Sequence, residues 1–128
     1  MPGIVISGGA QALNKWVELY IPSSGYSCLL PSLPDTREDH TMNNMYICGG
    51  SDFFARDLCI QFVDGQWTSL SSTKESRDDH SSWLTAEGLV LMGGSYTMQS
   101  TEIITLEGGQ GGPGFNLNYD VRFVISND

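Results

Sequence analysis

The 128 residues are predicted to fold as an all-β chain of repeated four-stranded antiparallel units. Three observations predict it. Three strand-like segments each end in a glycine pair: Ile4-Val5-Ile6-Ser7-Gly8-Gly9, Met45-Tyr46-Ile47-Cys48-Gly49-Gly50 and Leu89-Val90-Leu91-Met92-Gly93-Gly94. Their first glycines are 41 and 44 residues apart, and self-similarity at such a period is the signature of repeat architectures. An acid-x-Arg triplet follows each pair: Asp35-Thr36-Arg37, Glu75-Ser76-Arg77 and Asp120-Val121-Arg122. Its arginine lies 28, 27 and 28 residues beyond the second glycine. Finally, no window longer than ten residues sustains apolar spacing at i, i+3, i+4, so no substantial helix is expected.

Each element has its own warrant. The strand before the glycine pair is apolar and β-branched, as a buried strand should be. After the pair, a polar loop leads to Trp16 to Ile21, Asp57 to Phe62 and Thr101 to Leu106, each starting seven residues past the second glycine. Leu19, Ile60 and Ile104 share one offset, and Ile21, Phe62 and Leu106 the offset two further on. A spacing of two predicts one strand face. The next strand carries an aromatic: Tyr26 and Trp67 both stand 17 residues beyond the glycine pair, with Phe115 in that role after a glycine-rich insertion. Asp64-Gly65 is a two-residue hairpin signal, and Ser23-Ser24-Gly25 occupies the matching place. Asn43-Asn44 and Glu87-Gly88 are expected to turn the chain into the strand that ends in glycines. His40 and His80 each follow their arginine by three residues, where the third unit has Ile125.

The succession Arg-x-x-His, short strand, turn, strand, Gly-Gly, strand, Trp resembles the kelch repeat of galactose-oxidase-like β-propellers, over essentially the whole chain. Arg37, His40, Gly49, Gly50 and Trp67 make the fullest match. The tyrosine of that repeat has no clear counterpart, since Gln61 and Thr105 stand at the offset of Tyr20. The resemblance implies a partial propeller: an incomplete blade over residues 1–34, blades over 35–74 and 75–119, and the first strand of another over 120–128. Propellers run from about four to eight blades. The chain therefore reads as a fragment, expected to self-associate or to need its missing blades.

Composition excludes partners better than it names them. Six basic residues stand against 15 acidic ones, a net charge of −9. Nucleic-acid binders need clustered Lys and Arg, so no nucleic-acid partner is expected. The same deficit opposes docking on an anionic membrane, and no apolar run is long enough to span one.

The recurrent residues have structural readings first. Gly8, Gly9, Gly49, Gly50, Gly93 and Gly94 suit strand ends that need positive φ or close packing. Arg37, Arg77 and Arg122, with His40 and His80, are expected to tie one unit to the next, because a guanidinium offers a fixed fork of donors. A catalytic constellation is normally unique, whereas these recur. Gly109-Gln110-Gly111-Gly112-Pro113-Gly114 matches G-x-G-x-x-G, yet no amphipathic helix follows to hold a pyrophosphate. Cys48 and Cys59 flank a loop between adjacent strands; they form either a disulfide or two small buried apolar side chains. Cys28 is left over. Trp67 is expected in the core, while Trp83 and Trp16 are the candidate partner contacts. No metal-ligand spacing or calcium loop is present, so neither metal nor cofactor is expected.

Two function classes follow. Resemblance implies a non-catalytic, protein-binding scaffold whose acidic surface suits a basic partner. The alternative is part of a copper-dependent carbohydrate oxidase or a carbohydrate-binding propeller. An oxidase would need imidazoles and tyrosines converging on one metal, and its only imidazoles here are His40 and His80. The resemblance also points to an extracellular setting.

Overall fold

A computed structural model describes residues 3–9, 15–51, 56–95, 99–106 and 112–113. Among them every regular element is a strand. The first sheet holds β1 (Ile4–Ser7), β2 (Val17–Ile21) and β3 (Tyr26–Leu30). The second holds β4 (Thr41–Asn43), β5 (Tyr46–Cys48), β6 (Arg56–Val63) and β7 (Gln66–Arg77). The third holds β8 (Ser81–Thr85), β9 (Gly88–Met92), β10 (Thr101–Ile104) and the two-residue β11 (Gly112–Pro113). Strand order within each sheet follows the chain, and every pairing is antiparallel.

The hairpins follow their turn residues. Asp64 and Gly65 both take positive φ, 51° and 80°, as the two-residue turn between β6 and β7 requires. Between β4 and β5 the turn falls on Asn44 and Met45, with φ 50° and 67°. That is one residue later than Asn43-Asn44, because Asn43 is still paired, opposite Tyr46. Before β9 the turn is Ala86–Glu87, and Gly88 already belongs to the strand.

Two hydrophobic clusters lie between successive sheets. Val5, Val17 and Leu30 of the first sheet, with Leu33, pack against Met42, Ile47, Leu58, Ile60 and Trp67 of the second. Tyr46, Cys48, Cys59 and Leu70 of the second pack against Leu84, Leu89, Leu91 and Ile104 of the third, with Leu106 just beyond it. On β5, Ile47 therefore faces one neighbour while Tyr46 and Cys48 face the other. Period-two alternation makes this middle sheet apolar on both faces.

The shared offsets counted from the glycine pairs are corrected by register. Ser7 pairs with Val17, Cys48 with Cys59 and Met92 with Thr101. The intervening loops thus run to nine, ten and eight residues, so the first unit is one residue out of step with each of the others, and a one-residue slip exchanges the two faces. Leu19 consequently shares its register position with Gln61 and Ile103, opposite Val5, Tyr46 and Val90. Ile60 matches Glu18 and Glu102 instead. Tyr26 is likewise no counterpart of Trp67: it is exposed, and the register position of Trp67 belongs to Ser27. Phe115, residues 120–125 and the G-x-G-x-x-G run apart from Gly112 and Pro113 lie outside the described residues.

Candidate functional site

The recurrent residues meet at the junctions between sheets, and the same set of contacts occurs at each. The second glycine of a pair donates its N–H to the arginine carbonyl of the next unit: Gly9 to Arg37 at 3.0 Å and Gly50 to Arg77 at 2.7 Å. The first glycine donates across its own loop, Gly8 to Trp16 O, Gly49 to Leu58 O and Gly93 to Ser100 O. Ser51 N donates to Glu38 O and Ser95 N to Asp78 O, each closing the chain after a glycine pair onto the residue after an arginine.

The Arg37 and Arg77 guanidiniums are buried, and each holds its own unit's loop. Arg37 Nη1 donates to Gly49 O at 3.0 Å and Leu58 O at 2.8 Å. Arg77 Nη1 donates to Gly93 O at 2.9 Å and Ser100 O at 3.1 Å. These are the same two positions in the repeat. The acid two residues earlier is a direct partner: Asp35 accepts from Arg37 Nε at 2.7 Å, and Glu75 from Arg77 Nη2 at 3.3 Å. For Arg77 the Nε partner is Glu102, at 3.0 Å, which also accepts the Lys74 N–H. Glu102 is buried and was not singled out from sequence. Its signal was a lone carboxylate in the apolar run Thr101-Glu102-Ile103-Ile104, which only a buried cation can accommodate.

The imidazoles complete the junctions. His40 Nε2 lies 2.8 Å from Ser7 Oγ, and His80 Nε2 lies 3.0 Å from Thr41 Oγ1. Ser7 and Thr41 each come from the preceding sheet, where Thr41 pairs with Cys48 at the register position of Ser7. Both Nδ1 atoms are buried without a hydrogen-bond partner, so protonating both nitrogens of either ring would place an uncompensated charge in the interior. Burial and the Arg37 guanidinium push His40 down to about 4, against a smaller opposing pull from Asp35. Burial, Arg77 and His40 push His80 down to about 3. At neutral pH both rings are neutral, and their free edges press on the glycines. A β-carbon on Gly49 would overlap the Arg77 carbonyl oxygen and lie 2.7 Å from His80 Cε1.

An acidic row lies on the connections that carry these residues. Asp39 and Asp79 both take positive φ, and Asp79 N donates to Asp39 O. Burial and, secondarily, the Asp79 charge raise the Asp39 carboxyl above its ordinary value. Ser95 Oγ donates to Asp79 Oδ2 at 3.0 Å. Trp83, on β8, and Trp16, just before β2, are both exposed. Trp67 is only half-buried: its ring packs against Phe62, and its Nε1 donates to Pro31 O at 2.8 Å. That differs from the core position expected for it, because one indole edge reaches the backbone between β3 and β4. Cys48 and Cys59 are Cα partners joined by a disulfide, buried between the second and third sheets, and Cys28 is a half-buried thiol. Among the described residues no three His, Cys, Asp or Glu side chains converge as a metal site would need.

No protein-family model matches the chain, and no curated protein matches it.

Proposed function

We propose that the chain is a segment of a kelch-like β-propeller that serves as a non-catalytic, protein-binding scaffold. The observation that carries this reading is the repetition of one junction. In successive sheets Gly-Gly, Arg and His occupy the same places, the glycine and Nη1 bonds go to equivalent backbone carbonyls, and each imidazole meets a hydroxyl of the preceding sheet. Residues that could perform chemistry are thereby engaged in holding sheets together. The guanidiniums serve backbone carbonyls, and each imidazole has one nitrogen against a hydroxyl and the other buried. The surface a partner could meet includes the exposed Asp39 and Asp79, with Glu38 and Asp78 half-buried beside them, and the exposed Trp83 and Trp16. Such loops favour a basic protein segment, since opposite potentials steer encounter and fix register. The Cys48–Cys59 disulfide supports an oxidising, extracellular setting.

Selection of displayed peptides on the purified chain tests the reading. Lys- and Arg-rich sequences should emerge, their affinity should fall with salt, and Asp39→Asn with Asp79→Asn should weaken them. Hydrogen peroxide formed from galactose in the presence of copper(II) and oxygen would overturn it in favour of the oxidase.

A further inference from the structure

The first sheet carries the receiving half of a junction whose donor is not among the described residues. In the second and third sheets, the carbonyls of the first glycine and of the residue just past its loop converge on one guanidinium nitrogen. Gly8 O and Trp16 O hold those positions in the first sheet, since Gly8 N bonds Trp16 O just as Gly49 N bonds Leu58 O. The carboxylate is present as well. Glu18 pairs with Ile6 as Glu102 pairs with Leu91, each opposite the residue two before a glycine pair. Glu102 takes Arg77 Nε; no described cation reaches Glu18.

A second, independent observation concerns the same face. Ile47 and Leu91, the counterparts of Ile6, are 0% exposed beneath the preceding sheet, whereas Ile6 is 55% exposed. Around it Ile4 is 52% and Leu29 67% exposed. Clustered exposed apolar residues of this kind mark an interaction surface. This one is shaped by its register to receive a sheet followed by an arginine.

We infer that the face bearing Gly8 O, Trp16 O, Glu18, Ile4, Ile6 and Leu29 is a docking site for the third sheet of a second copy of this chain, joined head to tail. The occupant follows from the repeat, and the inference rests on the repeat reading proposed above. Arg77 ends the last strand of the second sheet, and its guanidinium serves the glycine loop of the third. Arg122 stands at the same step of the sequence repeat, 28 residues past its glycine pair as Arg37 is past Gly9. Its acid-x-Arg triplet supplies the cation that the Glu18 cradle lacks. Trp83, exposed on the third sheet, holds the register position of Asn43, which bonds Ser82 O across the second junction. A contact between two different faces is heterologous, so it propagates or closes a ring.

Light scattering across a concentration series tests this on the full chain. The wild type should grow in mass with concentration. Glu18→Arg and Arg122→Glu should each remain monomeric while keeping the wild-type far-UV spectrum and cooperative melt, with self-association weakened about 100-fold or more, as for a broken buried ion pair. Mixed together, the two variants share one intact junction and set the two reversed charges against each other at the other, so association should return. A wild type monomeric at all concentrations would overturn the proposal. So would an Arg122→Glu variant that associates like the wild type, or a mixture that stays monomeric. Protected Gly9 and Gly50 amides in such a monomer would leave the repeat reading standing while removing this one.

Discussion

Gly49→Ala and Gly65→Ala form a matched pair that separates backbone conformation from the packing of one sheet on the next. Both glycines have positive φ, 64° and 80°. The cost of left-handed backbone, about 1–2 kcal/mol for an L-residue, is therefore common to both. Their surroundings differ completely. A β-carbon at Gly65 meets nothing within 4 Å, whereas at Gly49 it overlaps the Arg77 carbonyl and crowds the His80 ring. Backbone and a buried imidazole cannot swing aside as a flexible side-chain end can. The connection between β7 and β8 must retreat, and the Gly50 N–H bond to Arg77 O goes with it. A buried donor left unpaired costs about 1–3 kcal/mol. Gly65→Ala should lower stability by about 1–2 kcal/mol and Gly49→Ala by about 2–5 kcal/mol, counting the shared strain. Urea denaturation with a common m-value measures both. Equal losses would refute the reasoning, because they would mean that the first glycine answers only to its own dihedral angle.

Three further expectations rest on the same contacts. Arg77→Met should destabilise by about 3–5 kcal/mol by stranding Glu102 without its cation, and adding Glu102→Leu should restore much of the loss; a double-mutant cycle in denaturant reads the coupling, and additive losses would count against the buried pair. An unfolded histidine takes up its proton near the ordinary value of 6.5, whereas folded His80 does so only near 3. The unfolded chain then binds more protons in that interval, so stability falls as pH drops below about 6.5 and levels off near 3; His80→Gln should flatten part of this slope in melts across the range, and an unchanged slope would contradict it. Trp67→Ala should cost about 3 kcal/mol, at the lower end for a large aromatic, since the side chain is half-buried; a loss near zero in denaturant titrations would show that the indole does not bridge the first two sheets.

The all-β antiparallel class and the recurrent residues at the junctions were legible because their constraints are local and exacting. A glycine pair at a strand end and an arginine with an acid two residues before it leave marks at a near-fixed spacing in each repeat, and a histidine three residues after the arginine does so in two of them. Strand faces were not legible by counting from the glycines. The first unit's loop differs by one residue from each of the others, and Leu19 changed faces relative to Ile60 and Ile104 for that reason. Tyr26 and Trp67 were misaligned by the same mechanism, with turns of four and two residues between their strands. Glu102, Thr41 and Ser7 act through contacts 25 to 39 residues away in sequence, which no local pattern encodes. The disulfide was open between two readings because two adjacent strands in either state look alike in sequence.

Amide hydrogen exchange at Gly9 and Gly50 tests most directly the claim that the repeated residues exist to join sheet to sheet. Both N–H groups cross a junction to an arginine carbonyl. They should exchange as slowly as the buried strand amides of Ile47 and Leu89, opening only when the whole structure does. His80→Gln should speed Gly50 while leaving Gly9 close to its original rate. Exchange of both glycines at the rate of an exposed turn amide, in a chain whose strand amides are protected, would contradict the account.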